Sequence, residues 1–321
     1  MSTQLEARPP RVGRERNVSW GLCMRQAVIN EIDVTNFDEV GDLRDRPDLA
    51  AAPSSSSDTS DARPGVLGLG APRVTVVIPA MNEARNLPHV LPRIPTWVYE
   101  VMLVDGNSTD DTVAVARQLW PGIRIVAQQG KGKGAALRTG FSAATGEIVV
   151  MLDADGSTDP AEIPVYVGAL MAGADFAKGS RFMQGGGTSD ISRFRQLGNW
   201  GLTQLVTILF GGNFSDLCYG YNAFWTDTIR SLGLDGDGFE IETMMNVRAL
   251  RAGLRISEVP SFEAERVYGE SRLRAIPDGW RVLKTIVREW RTPPVRQVAI
   301  VPARVLPDIE KDHALTDRAS A

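Results

Sequence analysis

Asp153-Ala154-Asp155 ends the apolar run Ile148-Val149-Val150-Met151-Leu152. Side chains i and i+2 of a strand share a face, so both carboxylates turn the same way. Two carboxylates so placed suit a hard divalent cation, Mg2+ or Mn2+, which takes oxygen ligands and bridges to phosphates. Taken alone, the pair reads equally well as an acidic turn at the surface. Other residues bear on the choice. Asp105 closes a second apolar run, Glu100 to Asp105, and could accept hydrogen bonds from a nucleobase or ribose. Lys131 and Lys133 stand in Gly130-Lys131-Gly132-Lys133-Gly134, where ammonium and backbone N–H groups could face phosphate oxygens. That loop lacks the Walker spacing, which disfavours ATP hydrolysis, and by itself it is also compatible with a flexible turn. Arg181 ends Phe176-Ala177-Lys178-Gly179-Ser180-Arg181. The combination points to chemistry on a nucleotide diphosphate, with a metal neutralising charge that builds on the leaving group.

These residues need a scaffold that brings strand ends together. Val74-Thr75-Val76-Val77-Ile78-Pro79 is a β-branched run stopped by proline, a buried strand. A helix is expected from Asn82 and Glu83 to about Leu91. The strand Glu100–Asp105 follows, and then a helix from Thr112 to Trp120 behind the capping residues Ser108 to Asp111. Ile123–Val126, Ile148–Leu152 and Phe176–Arg181 read as further strands, with helices over Ala135–Ala144 and from Asp159-Pro160 onward. Strands alternating with helices predict a parallel, doubly wound α/β sheet, in which ligands sit at the carboxyl ends of strands. Asp105, Asp153 and Arg181 all fall at such ends.

The chain has 321 residues, 43% hydrophobic and 23% charged, with a net charge of -4. Composition is that of a soluble globular protein, and the charge gives no general attraction to nucleic acid. Cys23 and Cys218 lie far apart, so neither a disulfide framework nor a cysteine metal site is expected, and a reducing compartment fits. Two histidines leave no room for a histidine-based metal cluster. The first sixteen residues are charged and carry no signal core, and no apolar stretch reaches membrane-spanning length. Residues 1–72, rich in Ser, Pro, Ala and Gly toward their end, are expected to be a flexible extension and linker, 73–292 the folded domain, and 293–321 a flexible tail.

Five motifs in order carry a resemblance: Val77-Ile78-Pro79-Ala80-Met81-Asn82-Glu83, Val104-Asp105-Gly106-Asn107-Ser108-Thr109-Asp110-Asp111-Thr112, Gly132-Lys133-Gly134, Leu152-Asp153-Ala154-Asp155 and Gly179-Ser180-Arg181-Phe182. Over roughly Val74 to Trp290 the chain resembles the family 2 glycosyltransferases of the GT-A fold, and within them the polyprenyl-phosphate (dolichol-phosphate) mannose or glucose synthases. The fold so implied is a Rossmann-like, mostly parallel twisted sheet flanked by helices. The resemblance places Pro79, Met81, Glu83, Leu103 and Asp105 around the donor nucleoside, and Lys133 at its phosphates. It puts Asp153, Ala154 and Asp155 at the metal and diphosphate, and gives Asp155, Arg181 and Glu242 to the catalytic set. Arg266 and Arg272, in Arg266-Val267-Tyr268-Gly269-Glu270-Ser271-Arg272, would reach phosphate. Arg193 and Arg195 would grip a lipid-phosphate acceptor, a task that suits the guanidinium fork. Three departures concern donor base and sugar more than reaction class. Gly106 stands where many relatives carry a second Asp, Arg272 where they carry Lys, and Met81 where they carry an aromatic residue.

Two stretches bear on the acceptor. Leu197 to Phe210 is uncharged and reads either as a buried helix or as an interfacial one. Ile276, Trp280, Leu283, Val287 and Trp290 recur at helical spacing, with Arg281, Lys284, Arg288 and Arg291 on another face. Such a helix either lies at an anionic membrane surface or packs its apolar stripe on the core. Glu240 and Glu242 offer a general base for a hydroxyl acceptor, whereas a phosphate acceptor is already anionic and needs none. Alternatively, one of them pairs with Arg248 or Arg251. The expectation is a metal-dependent, inverting transfer of a hexose from a GDP-mannose or UDP-glucose type of donor to a polyprenyl phosphate. The enzyme would be peripheral on the cytoplasmic face of the membrane. The alternative is a soluble enzyme acting on a small hydroxyl or phosphorylated acceptor.

Overall fold

The structure is a computed structural model that describes residues 71–293. The extension and tail expected for residues 1–72 and 293–321 therefore lie, except at their inner edges, outside the described residues.

The first β-branched run forms strand β1 (Val74–Ala80), followed by a single-turn helix α1 (Leu87–Val90), β2 (Glu100–Asp105), helix α2 (Thr112–Leu119) and β3 (Arg124–Ala127). Next come α3 (Lys133–Ala143), β4 (Ile148–Met151), α4 (Ile163–Met171) and β5 (Phe176–Ser180). A two-residue strand β6 (Gly187–Thr188) leads into the long helix α5 (Arg193–Phe210), then β7 (Asn222–Trp225) and α6 (Thr226–Ser231). Helix α7 (Ile241–Arg251), β8 (Ile256–Pro260), β9 (Phe262–Glu263) and α8 (Ala275–Arg291) complete the described chain.

Seven strands make one sheet in the order β3-β2-β1-β4-β7-β5-β8, and β6 pairs with β9 in a second, two-stranded sheet. All neighbours in the large sheet run parallel except β7, which is antiparallel to both β4 and β5. The chain moves outward from β1 to β3 on one side and restarts at β4 on the other. The order thus reverses between β1 and β4, the kind of switch point where open α/β sheets bind ligands. Both faces are covered, so successive residues of β1 enter different cores: Val76 and Ile78 pack with α1 and α4, Val77 with α3 and α7. A third cluster, including Val206, Val247, Val282 and Ile286, joins α5, α7 and α8.

Several boundaries differ from expectation for local reasons. Asn82 takes a left-handed φ of 60°, and the N–H groups of Glu83 and Ala84 bond across to Thr112 Oγ1 (2.8 Å) and Asp110 (3.2 Å), so the helix after β1 begins only at Leu87. At Pro160 a 3-10 turn over Pro160–Glu162 precedes α4. Strand β7 was not expected at all. It is four residues long and carries buried Asn222, and its insertion makes the sheet mixed, which agrees with the mostly parallel sheet that the resemblance implied.

Helices α5 and α8 each turn several large apolar residues outward. Phe194, Leu197, Trp200 and Ile208 are exposed on α5, whose inner side is Asn199, Thr203 and Val206. On α8 the buried side is Asp278, Val282, Thr285, Ile286 and Glu289, while Ile276, Trp280 and Trp290 are exposed. Each helix thus does both: it packs one side on the third cluster, through Leu202, Leu205, Val206 and Leu209 on α5 and Val282 and Ile286 on α8, and leaves a second apolar side exposed. The buried side of α8 admits charge because Glu289 is met by Arg248 at 2.7 Å and Arg251 at 3.2 Å. No described helix is long and apolar enough to cross a membrane.

Candidate active site

A cavity of about 1000 Å3 opens over the carboxyl ends of β1, β2, β4 and β5. At one end it is walled by Pro79, Met81, Gly106 and Gln128, and in the middle by Lys133, Asp153, Asp155 and Glu242. Its other end lies between α5 and α8, at Phe194, Gly198, Leu202, Gly279 and Val282.

The loops after β1 and β2 are stitched together at the first end. Asn82 Oδ1 accepts from Thr109 N at 2.7 Å, Ser108 Oγ accepts from Asn82 N at 3.0 Å, and the Asp105 carboxylate accepts from Ser108 N at 3.2 Å. Asp105 therefore braces the turn behind Gly106 and does not line the cavity itself. Gly106 has a steric role: a Cβ there would come within 2.8 Å of Gln128 Oε1. Gln128 is a wall residue that no motif indicated, and its amide occupies the space beside Gly106. Leu103 corrects an expectation. It is fully buried two residues before the strand end and packs in the core, so it cannot face a nucleoside.

The glycine-rich loop also departs from expectation. Gly132 has a φ of 95°, and a Cβ there or at Gly134 would lie 2.3 or 2.4 Å from the carbonyl oxygen of Asp237 or Gly236. The N–H groups of Gly134 and Ala135 donate to Asp237 O at 2.9 and 3.3 Å. These glycines serve close approach of the 236–238 segment, and the two N–H groups are not turned to the cavity.

Lys133 enters the middle of the cavity. Its Nζ lies 2.8 Å from Asp153 Oδ1 and 3.0 Å from Glu242 Oε1. Burial opposes the charge on Lys133, but the two carboxylates outweigh it and hold the pKa above its ordinary value. Glu242, fully buried, has its pKa pushed up by burial and further by Asp153, with Lys133 pulling the other way. Gly220 makes room for this cluster, since a Cβ there would meet Lys133 Nζ at 2.9 Å and crowd both carboxylates. The pairing of Glu242 with Arg248 or Arg251 does not occur; those arginines hold Glu289, and Glu240 accepts from the N–H groups of Asp237 and Gly238.

Asp155 is oriented by Ser157, whose N–H and hydroxyl donate to Oδ1 at 3.0 and 2.7 Å. Its Oδ2 lies 2.8 Å from Arg266 Nη2, and Arg266 Nη1 lies 3.1 Å from Glu83 Oε1. Arg272 donates to Met81 O at 3.0 Å, which fastens the segment after β9 over the Met81 end of the cavity. Among the described residues no three His, Cys, Asp or Glu side chains converge as a metal cluster. Asp153 and Asp155 nevertheless offer hard oxygen donors on the cavity wall, with Ala154 between them, and such a set fits Mg2+ or Mn2+ when phosphate and water oxygens complete the shell.

The arginines expected at phosphate separate. Arg181 is buried; its Nε is 2.7 Å from Asp216 Oδ2, its Nη2 3.0 Å from Asp216 Oδ1 and its Nη1 2.9 Å from Glu263 Oε2. Its charge is matched by two carboxylates, which makes it a joint between β5, the Asp216 loop and β9, while the residue also lines the cavity. Arg195 lines the cavity and pairs with Asp190 at 3.2 Å, whereas Arg193 is exposed in the first turn of α5 and does not line it.

Residues 75–233 match the family described as glycosyl transferase family 2. The chain is 34% identical over 217 residues to undecaprenyl-phosphate mannosyltransferase of Micrococcus luteus, covering 63% of this chain and 87% of that one. It is 31% identical over 228 residues to polyprenol monophosphomannose synthase of Mycolicibacterium smegmatis, covering 63% and 81%. Its fold is that of glucosyl-3-phosphoglycerate synthase from Mycobacterium tuberculosis, solved with Mn2+, UDP and glucosyl-3-phosphoglycerate, at a TM-score of 0.57, 24% identity, and coverage of 69% and 81%.

Proposed function

The chain belongs to glycosyl transferase family 2 and is a glycosyltransferase, and from that premise we propose that it moves a hexose from a nucleotide diphosphate sugar to a polyprenyl phosphate. The observation that carries this reading is the course of the cavity. It runs from an end at Met81 and Gly106, past paired carboxylates, to a mouth between two helices, where Phe194, Leu202 and Val282 stand beside Asp190, Arg195 and Asp278 and the outer faces carry exposed Leu197, Trp200 and Trp280. The names of the relatives, mannosyltransferases of undecaprenyl phosphate and polyprenol phosphate, support the same acceptor class.

In this reading Asp153 and Asp155 hold Mg2+ or Mn2+, which supplies Lewis acidity to the diphosphate leaving group. Pro79, Met81, Glu83 and Gln128 enclose the nucleoside, and the hexose comes to rest beside Lys133, Glu242 and Gly220. Lys133 keeps Asp153 in place and its charge lies near the departing phosphates. Glu242 is committed to Lys133 and takes no proton from the acceptor. An acceptor phosphate is already ionised at neutral pH and can attack the anomeric carbon directly with inversion. Lys131, Arg195, Arg266 and Arg272 line the cavity as cations that can meet phosphate oxygens.

Purified protein, offered labelled GDP-mannose or UDP-glucose with Mn2+, is expected to transfer label into undecaprenyl or dolichyl phosphate extracted with organic solvent. Transfer confined to a water-soluble phosphorylated acceptor would overturn the lipid reading.

In this reading the mouth lies at a bilayer surface, which the exposed aromatics of α5 and α8, with Arg281, Lys284, Arg288 and Arg291 beside them, support. A nucleotide sugar donor puts that surface on the cytoplasmic side. Trp200→Glu combined with Trp280→Glu is expected to lower binding to anionic vesicles at least about tenfold, since burying each large side chain is worth about 1.5–3 kcal/mol. Unchanged co-sedimentation would remove these faces from the membrane contact.

A further inference from the structure

Each metal-facing carboxylate is matched by a cation of this chain, and the two matches differ in firmness. Lys133 bridges Asp153 to Glu242, a carboxylate that is itself fully buried, so Lys133 has two strong partners within 3.0 Å. Arg266 bridges Asp155 to Glu83 at 2.8 and 3.1 Å, at the rim of the cavity and on a loop rather than on a helix or strand. That loop is tied down by Asn86, which exchanges bonds with Tyr268 N and O at 2.9 and 3.1 Å, and by Ala264 N donating to Ser157 O at 2.8 Å. The backbone around Arg266 is therefore anchored at both ends while its guanidinium has a choice of oxygens.

Asp155 itself has little to spare. Ser157 takes Oδ1 twice, which leaves Oδ2 as the oxygen that faces the cavity, and Arg266 is on it. A divalent cation approaching Asp155 must displace a guanidinium. The displaced guanidinium then needs another anion, and a diphosphate is the partner its fork fits best. Charge points the same way. Lys133 and Arg266 face Asp153, Asp155, Glu242 and Glu83, so the cluster carries two positive charges against four negative ones. It thus has a deficit that a divalent cation can fill, whereas a nucleoside diphosphate entering without one meets repulsion.

We propose that Arg266 guards Asp155, so that metal binds strongly only together with a nucleoside diphosphate that takes Arg266 over. Arg266 acts here as a positioning residue, by exchanging a carboxylate of this chain for a phosphate of the ligand. Coupling of this kind is reciprocal: whatever factor the nucleotide adds to metal affinity, the metal adds to nucleotide affinity. The inference rests on the metal-dependent reading above.

The test is an EPR titration of the free Mn2+ signal with full-length protein, alone and with saturating UDP or GDP. Wild type is expected to bind Mn2+ at least about tenfold more tightly with one of the nucleotides than without. Arg266→Gln is expected to raise the nucleotide-free affinity at least tenfold and to shrink the coupling. Arg266→Lys, which keeps a cation in place, restores much of the suppression. Arg272→Gln removes one positive charge from the same cavity without touching Asp155 and leaves nucleotide-free Mn2+ affinity within about twofold of wild type. Equal nucleotide-free affinity in wild type and Arg266→Gln, with nucleotide-dependent binding intact, overturns this inference alone, as does an Arg272→Gln gain as large as that of Arg266→Gln. If Mn2+ does not bind even with UDP or GDP, the metal-dependent reading falls and the inference falls with it.

Discussion

Asp155→Asn is expected to lower hexose transfer at least about 100-fold while leaving the fold intact, because Lewis-acid stabilisation of a leaving diphosphate is worth several kcal/mol. The substitution isolates charge from shape. Asparagine keeps an oxygen for the Ser157 N–H and hydroxyl, which donate to Oδ1 at 3.0 and 2.7 Å, so the turn after β4 stays in place. What disappears is the negative charge that faces Arg266 and, under the proposed assignment, the metal. Arg266 retains Glu83 at 3.1 Å, so its position is only loosened, and melting should change by less than about 1 kcal/mol. Ligand that binds only the native state raises the melting temperature by mass action, by about 2.7 kcal/mol of stability at a hundredfold excess over Kd. Wild type should show a larger thermal shift with UDP or GDP plus Mn2+ than with nucleotide alone, and Asp155→Asn should lose that increment. A variant that keeps both the Mn2+-dependent shift and near-normal transfer would move the metal away from this pair.

The strand ends of the donor side were legible because each is an apolar run broken by a single polar residue. Ile148 to Leu152 before Asp153, and Val101 to Val104 before Asp105, need nothing beyond local pattern to be placed at the rim of a sheet. What those residues touch was not legible. Lys133 meets Glu242 across 109 positions, and Arg181 meets Asp216 across 35, and no spacing rule links residues on separate elements. Strand β7 was missed because four residues containing a buried asparagine do not carry a strand signal of their own; the neighbours β4 and β5 supply it. Periodicity found the stripe of Ile276, Trp280 and Trp290 but could not tell which side faces the protein. The buried side of α8 includes Asp278 and Glu289; the α7 arginines Arg248 and Arg251 make the burial of Glu289 tolerable, and Asp278 accepts from Arg274 N at 2.7 Å with Arg281 alongside. A rule that apolar means inside fails where tertiary ion pairs hold the inside and an apolar face is left for another surface.

The same principle sets the stability prediction with the largest effect. Asp216→Asn is expected to cost about 3–5 kcal/mol, the range for breaking one side of a buried ion pair, and to lower the melting temperature on the order of 10 °C. Asp216 is fully buried, and its carboxylate accepts from Arg181 Nε and Nη2 at 2.7 and 3.0 Å, from Asn199 Nδ2 at 3.1 Å and from Cys218 N at 3.3 Å. It therefore ties the end of β5 to helix α5 and to the loop that leads into β7. Burial works to raise its pKa, but hydrogen bonds and charge from Arg181, with help from Lys178, outweigh it and hold the pKa below the ordinary carboxylate value. A depressed folded-state pKa contributes stability above the unfolded value of about 3.9 and loses it as pH falls through the lower, folded value. Wild type should thus lose this part of its stability only below about pH 4, and the asparagine variant should lack that component at every pH. Lys178 sharpens the effect. It is fully buried, donates to the carbonyls of Gly179 and Tyr219 at 2.6 and 3.1 Å, and has its own pKa lowered first by burial. Removing Asp216 leaves it and Arg181 as neighbouring cations with only Glu263 close to the latter. Replacing the pair together, as Arg181→Met with Asp216→Leu, should recover part of the loss, since it removes the Arg181 charge that the single variant leaves without its main partner, while Glu263 keeps the Thr188 hydroxyl at 2.8 Å. A loss below about 1 kcal/mol for Asp216→Asn in urea unfolding, or a double variant no more stable than the single, would show that this pair is not the joint between β5 and α5.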